Sequence, residues 1–441
     1  MTMTMNRIRA LARSAAIGTL VMLCCQSLHS QHWVNPNFEC HRLDLRDLGY
    51  PEVNQVPANS SAITSLLVAA SGKIYGGTTG EEAYLFLYDS AINKVKHLGK
   101  IKGQHGIHHA LVQDEGFIYA GTGLNVFRQL ELTANFPNAR DSVSDALWLD
   151  IRKQYASYAG GHLYRYDPVD ERVATPTTFA TGDDYKQVAM PNDFCPVEDL
   201  GAPVASNGIY ALAVDARAHT IYGISYPDGH LFAYNIPQKQ VRDLGEIDHR
   251  VVFHGPERDW RSLPRALFVD ESGKVYTSGD EGFLVYYDPA EDKVRSTGLK
   301  VPGEYYPVQG YVGHPVVECF AAGEQHLVYG GSSDGHLFSF NTATRTLTDL
   351  GKPRASRRLR ALTVGKNGRV YMMAGERFEP CRLFSFDPKG GGFRDLGVMA
   401  VDRSPYYSWR GQQFDSMVTG LDGTIYIGES ERRSHLFVYL P

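Results

Sequence analysis

The chain has 441 residues, 43% of them apolar, a formal charge of -5 and a pI near 6.3. That length would accommodate two or three domains. The acidic balance removes the electrostatic reason to expect nucleic-acid binding, so any basic patch must be local.

In chain order, Arg7, Arg9 and Arg13 precede an apolar run from Ala15 to Cys25, the pattern of a secretory signal over residues 1–30. The run is short for a membrane span, and no second apolar stretch would cross a bilayer. A secreted or periplasmic protein is expected; Leu23-Cys24 resembles a lipoprotein site only loosely, because a large residue precedes the Cys. The remaining cysteines, Cys40, Cys195, Cys319 and Cys381, allow three pairings in an oxidising compartment and lack close-paired zinc spacing. Cys319 stands where other repeats carry Ala or Ser, so it reads as a buried small residue.

From residue 60 onward one pattern recurs seven times at intervals of about 40 to 55 residues. A Tyr-containing strand comes second in each copy: KIYGG at Lys73, FIYAG at Phe117, TIYGI at Thr220, KVYTS at Lys274, LVYGG at Leu327, RVYMM at Arg369 and TIYIG at Thr424. The third strand follows, as in YLFLYD (Tyr84), HLYRYD (His162), HLFAYN (His230), FLVYYD (Phe283), HLFSFN (His336), RLFSFD (Arg382) and HLFVYL (His435). A fourth ends near Asp-Leu-Gly, at Gly99, Gly201, Gly245, Gly298, Gly351 and Gly397, but the seventh copy stops at Pro441 without one. The same motif, Leu45-Arg46-Asp47-Leu48-Gly49, lies ahead of the first copy. The prediction is an all-β, seven-bladed β-propeller over residues 31–441, a single domain whose N-terminal strand completes blade 7 and removes the free sheet edges. Blade 2 carries an extra segment, Leu124 to Ala159, that departs from the repeat.

The repeat also sorts scaffold from site. His162, His230, His336 and His435 all precede the Leu of the third strand, and Tyr75, Tyr119, Tyr222, Tyr276, Tyr329, Tyr371 and Tyr426 recur in the second. A residue present in every blade does not make one pocket special. These histidines are expected to bond to a neighbouring turn.

The exceptions gather in the links from a fourth strand to the next first strand, which should open on one face. They hold His105, His108, His109, His249, His254, His314, Arg258, Arg261, Arg265, Arg354, Arg357, Arg358, Arg360, Arg403, Arg410, Trp260 and Trp409. Just before the small residue of each first strand the blades carry Thr64, His109, Tyr210, Arg265, Glu318, Arg360 and Asp415. Polar side chains at one position of otherwise apolar strands predict a ring at the channel mouth, as a structural inter-blade network or as a site.

His109, Tyr210 and Arg265 fall on three consecutive blades. Eliminating a 4-linked sugar from a uronic acid needs a base at C5, an acid for the leaving oxygen and a cation against the carboxylate; His, Tyr and Arg supply these. With this order along the chain and its charged links, the sequence resembles the seven-bladed propeller polysaccharide lyases, including the ulvan lyases and rhamnose-glucuronic acid lyases. The resemblance implies β-elimination at glucuronic acid in a rhamnose- and uronate-containing glycan, with His109, Tyr210 and Arg265 catalytic. His105, His108, Tyr226, His254, Arg258, Arg261, Arg360, Trp409 and Arg410 are the candidate substrate-binding residues. Tyr226 or His254 are alternative acid or base, and which of His108 and His109 faces the channel stays open.

A related propeller α-L-rhamnosidase type places its site on the opposite face, where His41 would lie; a non-catalytic glycan- or protein-binding propeller is the other alternative. Tyr305, Tyr306, Tyr311, Tyr406 and Tyr407 suit sugar stacking. No cofactor is identified. A structural divalent cation, calcium or zinc, is compatible with the chain, since channel carbonyls leave no sequence trace and His314 and Glu318 are four apart. The expected partner is an anionic polysaccharide or oligosaccharide, with the protein a monomer and without a transmembrane segment.

Overall fold

The computed structural model describes Val56 and residues 60–441 except 92, 126–152, 169–193, 248–263, 305, 309–310, 356–357, 376–380, 400–412 and 431–433, with backbone alone at 43–44, 94, 280, 306–308 and 311–313. The expected signal segment, Cys40, His41, and the loop residues His249, His254, Arg258, Trp260, Arg261, Tyr305, Arg357, Arg403, Tyr406, Tyr407, Trp409 and Arg410 lie outside them; so do the side chains of Tyr306 and Tyr311.

Seven four-stranded antiparallel sheets form, each running in sequence order from its first to its fourth strand except the last. Blade 3 shows the plan: Gly208–Asp215, Thr220–Tyr226, His230–Asn235 and Gln240–Glu246. First strands of neighbouring blades lie beside one another, including Ala62–Val68 of blade 1 and Phe414–Thr419 of blade 7. They therefore line the axis, while fourth strands, exposed along much of their length in blade 3, form the rim.

Blade 7 is closed by an N-terminal strand, as the missing fourth strand requires. Leu43 pairs with Leu436 and Asp44 with His435. The register differs from the repeat, in which Leu231 faces Gly245; by that pattern Leu436 would face Gly49. The pairing strand is thus offset by an even number of residues, which keeps the same alternate side chains on each sheet face. Ser416 Oγ also donates to the Ile63 carbonyl at 3.2 Å, so blade 7 is stitched to blade 1 at the inner strands too.

The consensus residues find partners that explain their recurrence. His162, His230 and His336 each place Nδ1 against the fourth-strand carboxylate of Asp199, Asp243 or Asp349, at 2.7, 2.9 and 2.9 Å, and Arg382 does the same with Asp395 at 2.7 Å. The expected partner was a turn; it is instead the Asp of Asp-Leu-Gly. That Asp also accepts from the Gly two residues on, Gly245 to Asp243 at 2.9 Å, where φ of 86° favours glycine and the register shifts by a bulge. In blade 7, among the described residues, His435 Nδ1 meets buried Glu429 of the second strand at 2.8 Å.

The recurrent tyrosines form the seams between blades. The second-strand Tyr of one blade packs on the third-strand aromatic of the next: Tyr222 on Tyr287, Tyr276 on Phe340, Tyr371 on Tyr439, and across the closure Tyr426 on Tyr88, with centroids 6.0, 5.2, 5.7 and 5.5 Å apart. Such pairs add to the burial of their own large apolar area. Next to the Tyr, Gly76 leaves room for Phe86: a Cβ there would lie 2.0 Å from its Cζ.

Candidate functional site

Five of the seven ring positions are β-bulges. The register of first strand to second skips Thr64, Tyr210, Glu318, Arg360 and Asp415, each left unpaired on its strand. A bulge adds one residue and re-aims its side chain. The polar residue in each apolar strand start is thus turned out of the blade and toward the axis. His109 and Arg265 precede the shorter first strands of blades 2 and 4, Leu111–Asp114 and Phe268–Val269.

The ring divides into two arcs. On blades 4 to 7 the charges are paired. Arg265 Nη1 donates to Glu318 Oε1; Arg358 donates to both oxygens of Glu318, Nε to Oε1 at 3.1 Å and Nη2 to Oε2 at 2.8 Å. Arg360 Nη1 donates to Asp415 Oδ1, and the Ser430 hydroxyl to Asp415 Oδ2. Burial by itself raises the Asp415 carboxyl, but Arg360, Arg358, His109 and the Ser430 hydroxyl outweigh it and hold the group below its ordinary value. His109 of blade 2 is therefore within electrostatic reach of blade 7, across blade 1, whose ring residue is the small Thr64.

The other arc carries no fixed charge. Thr64 Oγ1 donates to the Ile107 carbonyl at 2.6 Å. Buried Tyr210 has histidines on two sides: His108 lies nearly parallel to it at 5.6 Å and 26°, and His109 meets it edge-on at 5.4 Å and 67°. His108 is buried, with Nε2 3.3 Å from the Leu124 carbonyl. His109 is less buried, and its carbonyl accepts from Leu212 N of blade 3 at 3.1 Å, which pins this link to the neighbouring first strand. His109 thus occupies the ring position while His108 backs Tyr210.

The three ring guanidinia differ in access. The Arg265 side chain is 12% exposed, against 6% for Arg358 and 2% for Arg360. Among the described residues Arg265 hydrogen-bonds to Glu318 alone, through one nitrogen. Its remaining donors are available in the planar arrangement that a carboxylate matches. Arg360, a candidate substrate-binding residue, is instead buried against Asp415.

The other candidates scatter. His105 is partly buried in the link with its backbone N donating to Gly123 O at 3.1 Å. Tyr226 ends the second strand of blade 3, paired with Gly208 two residues before Tyr210 and buried against Tyr155 at 5.6 Å. Cys319 is held with Sγ donating to Leu359 O at 3.2 Å, and burial lifts its thiol well above the ordinary value, as suits a packing residue. Cys319 is a free thiol. Ser430 was not legible: it belongs to no repeat position that stands out.

On the opposite face, Asp114, Glu115 and His219 bring ligand atoms within 4.8 Å of one another. His219 Nδ1 meets Asp114 at 2.8 Å, and that hydrogen bond, then the nearby carboxylates of Asp114, Glu115 and Asp215, raise its pKa against desolvation. It links blades 2 and 3 as an ion pair. No helix among the described residues is long and apolar enough to cross a membrane.

No family model and no curated protein matches the chain. Solved structures do. The extracellular domain of the putative hybrid two-component system BT4673 from B. thetaiotaomicron is 12% identical over 91% of this chain, with a TM-score of 0.52. This chain spans 40% of the length of that structure. Virginiamycin B lyase from Staphylococcus aureus is 10% identical over 92% of this chain and all of its own, with a TM-score of 0.55. The Cps50 (Swd1) propeller domain of Myceliophteria thermophila is 10% identical over 86% of this chain and 98% of its own, with a TM-score of 0.51. At such identities the likeness is one of fold, the β-propeller, shared by proteins with different tasks.

Proposed function

We propose that the chain is a secreted polysaccharide lyase that cleaves a glycosidic bond at glucuronic acid in a rhamnose- and uronate-containing glycan by β-elimination. The observation that carries this reading is Arg265, the most accessible guanidinium of the charged arc, held on one side by Glu318 and open on the other, on the blade next to that of Tyr210, which His109 of the preceding blade meets in turn. Arg265 and Arg358 both donate to Glu318, so that carboxylate is shared between two guanidinia.

In the proposed reaction the carboxylate lies on the open side of Arg265. Neutral His109 takes the C5 proton as charge moves onto the carboxylate, where the guanidinium stabilises it. Tyr210 gives a proton to the departing glycosidic oxygen, the C4–O bond breaks, and its electron pair leaves with that oxygen. The C5–H pair becomes the C4–C5 double bond.

The test is incubation with a panel of uronate polymers while ultraviolet absorbance of the conjugated product is followed. His109→Ala and Tyr210→Phe should abolish the signal with the fold retained. A product lighter by one water than the hydrolytic one supports elimination, whereas free saturated rhamnose favours the rhamnosidase-type hydrolase. The second reading, a non-catalytic glycan- or protein-binding propeller, is favoured by the burial of Arg358, Arg360, Glu318 and Asp415 in mutual ion pairs, the arrangement of a purely structural ring. Glycan retention without any cleavage would establish it over the lyase.

A further inference from the structure

We infer that His108 is a positioning residue that clamps Tyr210 in one orientation and presents its edge to His109. The role of Tyr210 as proton donor rests on the lyase reading above; its clamped orientation does not.

Three observations carry the inference. The His108 ring lies nearly parallel to Tyr210, 5.6 Å away and inclined by 26°, while His109 meets Tyr210 in an edge arrangement at 5.4 Å and 67°. His108 is itself immobilised: it is 4% exposed, and its Nε2 lies 3.3 Å from the Leu124 carbonyl. A carbonyl only accepts, so Nε2 carries the proton in the neutral ring and donates.

The third is the way the surroundings hold both partners. Tyr155, in the returning stem of the blade 2 insertion, is 1% exposed. Tyr155 packs edge-on against Tyr226 at 5.6 Å and Tyr158 at 5.7 Å. The Tyr158 hydroxyl donates to Gln104 Oε1 at 2.6 Å, in the same link that bears His108 and His109. The stem therefore grips the link at Gln104 through Tyr158, while Leu124, where the insertion leaves the blade, meets His108.

A clamp and a catalytic base are separated by conservative replacement. His108→Phe keeps a flat ring over Tyr210 and removes the titrating nitrogens, whereas His108→Ala removes both. The expected result is that His108→Ala lowers kcat about 10- to 100-fold, the scale of a small misplacement of a reacting group, with KM little changed. His108→Phe should recover most of that loss, with the pH profile of the wild type. Phe as inactive as Ala, or Ala as active as wild type, overturns the inference.

If the wild type cleaves no glycan, the lyase reading fails but the clamp is still decided by NMR on selectively labelled His and Tyr. The inference expects His108 as the neutral Nε2–H tautomer and slow ring flips of Tyr210 that become fast in His108→Ala, with circular dichroism unchanged. Another tautomer, or Tyr210 flips unaffected by His108→Ala, overturns it.

Discussion

His97 should make the protein acid-labile in a way that one substitution removes. It occupies the place of the Asp in Asp-Leu-Gly, and Tyr84 the place of the consensus His, so blade 1 replaces the usual ion pair by two rings 5.1 Å apart. His97 is 2% exposed, and burial lowers its pKa from 6.5 to about 4. The folded value lies below the unfolded one, so on acidification the unfolded chain takes up the proton first. The stabilisation is complete above pH 6.5 and is lost as pH falls through that value toward about 4. At about 1.4 kcal/mol per tenfold the full effect is ~3 kcal/mol, most of it lost by about pH 4.5. His97→Phe keeps the ring and removes the titration. Urea unfolding of wild type and variant at about pH 7.5 and about pH 4.5 isolates the term, because every other titrating group cancels in the difference. The wild type should lose roughly 2 to 3 kcal/mol more than the variant. Equal losses would refute the buried, neutral His97.

Breaking the charged arc should cost far more than breaking a rim pair. Asp415→Ala strands the buried Arg360 guanidinium, for about 3 to 5 kcal/mol by denaturant unfolding. Asp243→Ala removes the half-exposed partner of His230 and should cost no more than about 1 kcal/mol in the same assay. Gly76→Ala forces a Cβ into Phe86 and should lower stability by about 1 to 3 kcal/mol, with partial recovery in Gly76→Ala/Phe86→Leu, read by thermal melting. Cys319→Ser should leave any activity intact, since that thiol packs against Leu359 and faces no reactive group.

The sequence by itself determined the architecture, because a propeller is built from local hairpins repeated seven times. Four strands per copy, the scaffold status of the recurring His and Tyr residues, and an N-terminal strand for blade 7 all follow from spacing and alternation. The ring was legible for the same reason: a polar residue in an otherwise apolar strand start is a conflict that a bulge resolves, and a bulge turns that side chain toward the axis. What the repeat left undetermined is every contact between residues far apart in the chain. That the consensus His meets the fourth-strand Asp, and that His97 and Tyr84 replace that pair with rings, depends on strand register. The closing strand shows the same limit, since the pairing of Leu43 with Leu436 and Asp44 with His435 is a register that spacing alone does not set. Most of all, the pattern set Arg265, Arg360, Glu318 and Asp415 in a ring as equals. Only the tertiary structure decided which charges neutralise one another and which guanidinium stays accessible, because that depends on distances between blades that no single repeat contains.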